Sequence, residues 1–315
     1  MVDRIDVEFP AQDGTKLEAW LFRPADVSAP LPAVTMAHGF GATKFHGLEP
    51  LAKAIAEAGF VVLLHDHRNF GGSGGLPRHD IDPWRQIEDW RRAISYLETL
   101  DDVDSSRIGL WGTSYSGGHA IVLGATDRRL KAIVAQVPTI DGFVAGQRRV
   151  NPAGISALEE IFNEDQRAQL RGEPPRTQKL VDIDPNIPAQ YHTPDTVAFL
   201  SQEVPPSIWR NELTIQSNRR ARMYEPGRWI DRVSPTPLLV VATTHDTVAP
   251  TDLVLAAYER ALEPKSLVLI PGGHYTAYLE GFGTSSKAAV DWFVKQLVDE
   301  SSRTNNRAQI EVSAA

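Results

Sequence analysis

The chain has 315 residues, 42% of them hydrophobic and 23% charged, with 40 acidic against 32 basic side chains and no cysteine. The formal net charge of -8 argues against nucleic acid and anionic membrane as partners. Without cysteine there are no disulfides, no thiolate metal sites and no cysteine nucleophile, and the length suits two domains or one large α/β domain with an insertion.

The N-terminal stretch MVDRIDVEFP has no apolar h-region, so no signal peptide is expected and the default location is cytoplasmic. Residues 5–23 read as an antiparallel hairpin that turns at Asp13-Gly14. Runs rich in Val, Ile and Leu follow at 32–37, 60–65, 107–111, 131–137, 237–242 and 266–270. Most are continuous rather than alternating, as expected of parallel strands covered on both faces. Helical patterns lie between them at 47–58, 83–99, 116–125, 253–261 and 285–298. This alternation predicts a doubly wound, mostly parallel α/β sheet. Residues 108–126 carry no Lys, Arg, Asp or Glu, which is the length of a membrane span. Five glycines and a central Thr, Ser, Tyr, Ser and His make this run a buried strand, a tight turn and a buried helix instead.

After Val137 the alternation stops. Residues 141–237 hold eleven of the 22 prolines, with helical pieces at 155–171, 194–203 and 207–224. Thr193 is placed as an N-cap, with Pro194 at the first helical position. The expected organisation is a core of 1–140 and 231–300, interrupted by a helical cap insertion at 141–230. The polar tail 301–315 is expected to be flexible.

The strongest chemical signal is Gly112-Thr113-Ser114-Tyr115-Ser116-Gly117-Gly118, directly after a strand and opening a helix. A serine on such a turn holds its hydroxyl above the sheet, and the backbone passes so close to itself that small neighbours are needed. Ser116 stands where this pattern usually has glycine. The same letters allow a second frame with Ser116 as nucleophile, but the distance from strand to turn favours Ser114. A serine needs a base, and the base needs an orienting acid. His274 follows a late strand in Pro271-Gly272-Gly273-His274-Tyr275, and Asp246 closes the strand before it. Asp141 is the reserve candidate for the acid. The oxyanion donors expected are the backbone N–H groups of Tyr115 and Phe40, the latter between two glycines in His38-Gly39-Phe40-Gly41. His38 is expected to brace that loop.

Other features read as structural. His65-Asp66-His67 resembles a metal pair, but no further ligand run completes it, so no metal is expected. Gly71-Gly72-Ser73-Gly74-Gly75 lacks the Lys-Ser/Thr of a phosphate loop and reads as a surface turn. His119 reads as a helix-packing residue. Arg210, Arg219, Arg220, Arg222, Arg228 and Arg232 suit a solvated helix face better than an anion site. Seven aromatics of the insertion, Phe143, Phe162, Tyr191, Phe199, Trp209, Tyr224 and Trp229, are candidates for an acyl pocket, though each alone is more often core.

Taken together, HGFGATK at His38, HDHRNFGGSGG at His65, RIGLWGTSYSGGHA at Arg107, TTHDTVAP at Thr243 and PGGHY at Pro271 resemble the α/β-hydrolase superfamily over roughly 5–297. The superfamily normally shows D-x-R-G-x-G-x-S after its fourth strand; here Asn69 replaces a glycine, and Asn tolerates positive φ. The serine followed by Gly-Gly-His is similar to dienelactone-hydrolase-like and peptidase-S15-like proteins and to fungal polyketide acyltransferases. That resemblance implies an acyl-transfer enzyme with a lidded pocket. The expectation is a serine hydrolase of an ester, lactone or thioester with no cofactor and a small-molecule acyl substrate. An acyltransferase and a peptidase are the enzymatic alternatives, and a non-catalytic receptor on the same fold is the alternative from outside catalysis. Acyl length and oligomeric state are left open, a homodimer included.

Overall fold

The computed structural model describes residues 2–25, 30–150 and 152–298, so the tail expected at 301–315 lies outside the described residues. The expected hairpin opens the chain as β1 (Val2–Pro10) and β2 (Lys16–Pro24), antiparallel from Val2↔Pro24 to Pro10↔Lys16. Its turn is held by the Asp13 carboxylate, which accepts from the Thr15 N–H at 3.1 Å. Then β3 (Leu31–Ala37), α1 (Glu49–Glu57), β4 (Val61–His65), α2 (Pro83–Glu98), β5 (Val103–Thr113), α3 (Tyr115–Thr126) and β6 (Leu130–Gln136) alternate. Capping sets these boundaries locally. Asp82 accepts from the N–H groups of Trp84 and Arg85, with Pro83 opening α2.

Between residues 137 and 237 the chain forms α4 (Gly142–Arg149), α5 (Ile155–Leu170), β7 (Thr177–Val181), β8 (Ala189–Tyr191), α6 (Pro194–Leu200), β9 (Leu213–Thr214) and α7 (Ile215–Arg222). The three short strands make a second sheet in the order β8-β7-β9, which an all-helical reading did not anticipate. The helix expected over 207–224 shrinks to α7 because its first half is pulled away by other contacts. The Trp209 indole donates to the Gly41 carbonyl at 2.7 Å, and the Thr214 N–H donates to the His79 carbonyl at 3.1 Å. Thr193 occupies the N-cap position of α6 with Pro194 behind it, but its hydroxyl pairs with Thr196 Oγ1 at 2.7 Å rather than with a backbone N–H.

The alternation resumes with β10 (Leu238–Thr243), α8 (Thr251–Arg260), β11 (Lys265–Ile270) and α9 (Phe282–Phe293). The large sheet runs β1-β2-β4-β3-β5-β6-β10-β11, antiparallel in its first two pairings and parallel in the rest. Period-two alternation divides the core between its faces. Val61, Leu63, Ile133, Val240 and Ala242 pack with Trp90 and Ile94 of α2 and Ile121 of α3. Val62, Leu64, Val134 and Val241 pack instead with Leu51 and Ile55 of α1 and Phe293 of α9. Helices therefore cover both faces, and the parallel strands direct their C-terminal ends to one edge. No helix among the described residues is long and apolar enough to cross a membrane.

Candidate active site

Ser114 follows β5 directly, at φ 55° and ψ -117°, and α3 begins at the next residue. A non-glycine residue in this region is strained and persists only where its surroundings fix it. Here the Ser114 N–H donates to the Gln136 carbonyl at 2.8 Å, while its own carbonyl accepts from the Thr139 N–H at 2.9 Å. Gly112 makes the turn feasible: a Cβ there would lie 2.1 Å from the Ser116 carbonyl oxygen. Ser114 remains half-buried, although its neighbours on both sides are buried.

The base and the acid arrive from the ends of the two last strands. His274 Nε2 lies 3.0 Å from Ser114 Oγ, and His274 Nδ1 lies 2.7 Å from Asp246 Oδ2. A carboxylate only accepts, so Nδ1 carries the hydrogen and Nε2 turns its lone pair to the serine hydroxyl. Asp246 is held in turn through Oδ1, which accepts from the N–H groups of Val248 at 2.8 Å and Ala249 at 2.7 Å. Asp141, the reserve acid, is occupied elsewhere; it caps α4 by accepting from the Val144 N–H at 2.8 Å.

The loop after β3 passes against the serine. A Cβ on Gly39 would sit 2.8 Å from Ser114 Cβ, so glycine is what lets this loop approach. Phe40 lines the cleft beside Ser114. The Tyr115 N–H opens α3, where a helix leaves its first donors without intrahelical acceptors. Several anchors hold the loop. His38 Nδ1 donates to the Gly39 carbonyl at 3.0 Å, and His38 Nε2 accepts from the His67 N–H at 3.1 Å. Ser116 is fully buried, donates to the His38 carbonyl at 2.5 Å and accepts from His67 Nε2 at 2.7 Å. Both capacities of its hydroxyl are thus spent on bracing the loop. Lys44, also fully buried, reaches Asp66 at 2.6 Å and Glu18 at 2.7 Å.

The remaining motifs find structural places. Asp66 holds Lys44, His67 holds Ser116, and His65 packs edge-on against Trp90 at 5.3 Å. The glycine run at 71–75 is not a surface turn: the Gly72 N–H donates to Asp66 Oδ2 at 3.2 Å, and Gly71 and Ser73 are buried. Asn69 does adopt φ 69°. His119 does more than pack, since Nδ1 accepts from the Tyr224 hydroxyl at 2.8 Å and Nε2 bonds Gln86 Oε1 at 3.0 Å. Arg220 pairs with Asp80 at 2.9 Å, Arg228 with Glu225 at 3.1 Å, and Arg219 with Gln166 at 2.9 Å.

Above Ser114 opens a small cleft, lined by His274, Phe40, Tyr191, Phe199 and Tyr275 among others. Of the insertion aromatics, Tyr191 and Phe199 reach it; Phe162 and Tyr224 are buried, and Phe143 is exposed. Tyr275, quoted in the PGGHY motif without a role, and Tyr278, which no motif contains, add a second aromatic wall beside the histidine. The Tyr278 hydroxyl is bonded to Thr113 Oγ1, and burial raises its pKa.

The profile of the X-Pro dipeptidyl-peptidase (S15 family) matches residues 13–276. The chain belongs to the S15 family of α/β-hydrolases. This S15-family chain is 32% identical to the quorum-quenching protein AidA of Acinetobacter baumannii, over 93% of its own length and 95% of that protein. It is also 32% identical to the polyketide transferase GrgF of a Penicillium species, over 86% of the chain and 89% of that protein. The crystal structure of GrgF superposes with a TM-score of 0.82 at 29% identity, covering 94% of this chain and 100% of that one. A thiohydrolase of Eupenicillium brefeldianum is 28% identical over 89% of this chain and 90% of that protein. This S15-family chain is accordingly a hydrolase-type enzyme, with relatives named for hydrolysis and for acyl transfer.

Proposed function

We propose that the chain is a serine hydrolase that cleaves a carboxylic ester, lactone or thioester through an acyl-enzyme. The reading is carried by one observation, the hydrogen-bonded run from Ser114 Oγ through His274 to Asp246. In this mechanism Ser114 Oγ attacks the carbonyl carbon while His274 Nε2 takes the hydroxyl proton. The Phe40 and Tyr115 N–H groups receive the oxyanion, at the positive end of α3. His274 then protonates the leaving alcohol or thiol as its bond to carbon breaks. Water, deprotonated by the same nitrogen, releases the acid and restores the serine. Asp246 keeps the imidazole in the tautomer each step needs. Residues 141–230 act as a cap that supplies Tyr191 and Phe199 to the acyl side.

Acyl transfer is the second reading, favoured by relatives named polyketide transferase. It uses the same steps with an alcohol or amine in place of water. A peptidase anchored by the insertion arginines is disfavoured, because none of those arginines lines the cleft among the described residues. The test is turnover of a series of p-nitrophenyl esters, with and without added alcohol acceptors. Hydrolysis that Ser114→Ala abolishes supports the first reading. Acyl product on the acceptor at the expense of free acid moves the assignment to transfer, and activity that survives Ser114→Ala overturns both.

A further inference from the structure

The insertion reaches Asp246 from outside the cleft. Its first helix, α4, ends in Arg148 and Arg149, and both extend to the segment that follows Asp246. Arg148 makes a two-point pair with Asp252 in the first turn of α8, Nη1 to Oδ1 and Nη2 to Oδ2 at 2.7 Å each. Arg149 Nη2 donates to the Val248 carbonyl at 2.5 Å. Its guanidinium also lies 5.3 Å over the ring of Tyr191, a residue of the cleft wall.

The carbonyl that Arg149 holds belongs to the same peptide unit as the Ala249 N–H. That N–H donates to Asp246 Oδ1 at 2.7 Å, beside the Val248 N–H at 2.8 Å. Asp246 Oδ2 in turn accepts from His274 Nδ1 at 2.7 Å. The bonds therefore run in series, from guanidinium to carbonyl oxygen, through the planar peptide to its N–H, then to carboxylate and imidazole. A peptide whose oxygen is bonded to a cation is the stronger donor at its nitrogen, because hydrogen bonds in series polarise one another. The rest of the turn is secured without the arginine: Thr251 Oγ1 accepts from the Asp246 N–H at 2.9 Å and donates to the Thr243 carbonyl at 2.8 Å. We infer that Arg149 is a positioning residue for Asp246, acting through the Val248–Ala249 peptide, so that the seating of α4 sets part of the catalytic rate. The inference rests on the acyl-enzyme reading above, in which Asp246 orients His274. Arg149 is exposed, so water competes for the same carbonyl and the effect is a fraction of what the carboxylate itself supplies.

The test is a double-mutant cycle on the full chain, read as kcat for p-nitrophenyl acetate. Arg149→Met keeps an unbranched apolar stem and removes the cation with its donors. In the wild-type background kcat is expected to fall about fivefold. In Asp246→Ala the peptide has no carboxylate to hold, and the same substitution is expected to change the remaining kcat by less than about twofold. A purely structural role would give the same fold loss in both backgrounds. Equal losses, or no loss in the wild type, overturn the inference. The second background is Tyr191→Leu, which removes the ring beneath the guanidinium. There the loss is expected to persist. A loss that vanishes means that Arg149 acts through the cleft wall, and this overturns the inference even if Asp246→Ala does not fold. The two levels separate cleanly: an Asp246→Ala enzyme as active as the wild type sinks the acyl-enzyme reading, whereas an impaired one with equal losses sinks only the role of Arg149.

Discussion

Ser114 occupies a backbone conformation that serine adopts only under constraint, and His274 and Asp246 are locked by bonds that leave each a single role. Asp246→Asn would present the imidazole with an amide that no longer favours hydrogen on Nδ1. Turnover should then fall by about 10⁴-fold with the fold intact, as steady-state rates and thermal unfolding would show together. Ser116→Ala probes the neighbouring hydroxyl. It leaves the buried His67 Nε2–H without an acceptor, so denaturant unfolding should register a loss of about 1–3 kcal/mol while Ser114 still reacts. Ser114, His274 and Asp246 were legible because each follows a strand within a short motif that turns the chain. Tyr278 was not, since its place depends on a partner contributed from a distant segment, Thr113.

At the level of elements, the loop after β3 carries the geometry of the site, and it is held by buried polar contacts rather than by secondary structure. Lys44 is its main anchor. Lys44→Met would leave Asp66 buried without its cation, a loss of about 3–5 kcal/mol by equilibrium denaturation, since an unpaired buried charge is worse than none. Gly39→Ala tests the close approach directly. Its methyl would lie 2.8 Å from Ser114 Cβ, so the loop or the turn must shift, and kcat and the thermal midpoint should both drop; both unchanged would mean that the loop has room to spare. The parallel strands and their helices were readable because each carries its own periodic signal. The small sheet β8-β7-β9 was not, because strands of five, three and two residues in proline-rich chain have no period to detect. Their pairing is decided by contacts across the fold, such as Thr214 with His79. The buried packing of the glycine run at 71–75 is not readable for a similar reason, since the carboxylates of Asp66 and Glu18 against which it packs lie outside the run itself.

Across the whole molecule, His38, His46, His65, His67 and His119 are buried, and burial lowers the pKa of all five, to about 4 for His46 and about 3 for His65 and His119. In the unfolded chain a histidine titrates near 6.5. Between these values the unfolded state binds protons that the folded state refuses. The stabilisation is therefore complete above about pH 6.5 and is lost as pH falls, with each histidine contributing up to about 1.4 kcal/mol per pH unit. Denaturant unfolding from about pH 7.5 down to 4.5 should show a steepening decline, and a flat profile would mean that these imidazoles are not held neutral. The proposed mechanism turns on the nucleophilicity of Ser114. Treating the protein with a fluorophosphonate and mapping the adduct by mass spectrometry tests it most directly. A single adduct on Ser114 that disappears in His274→Ala is the predicted result; an adduct on Ser116, or none on the folded wild-type protein, would contradict it.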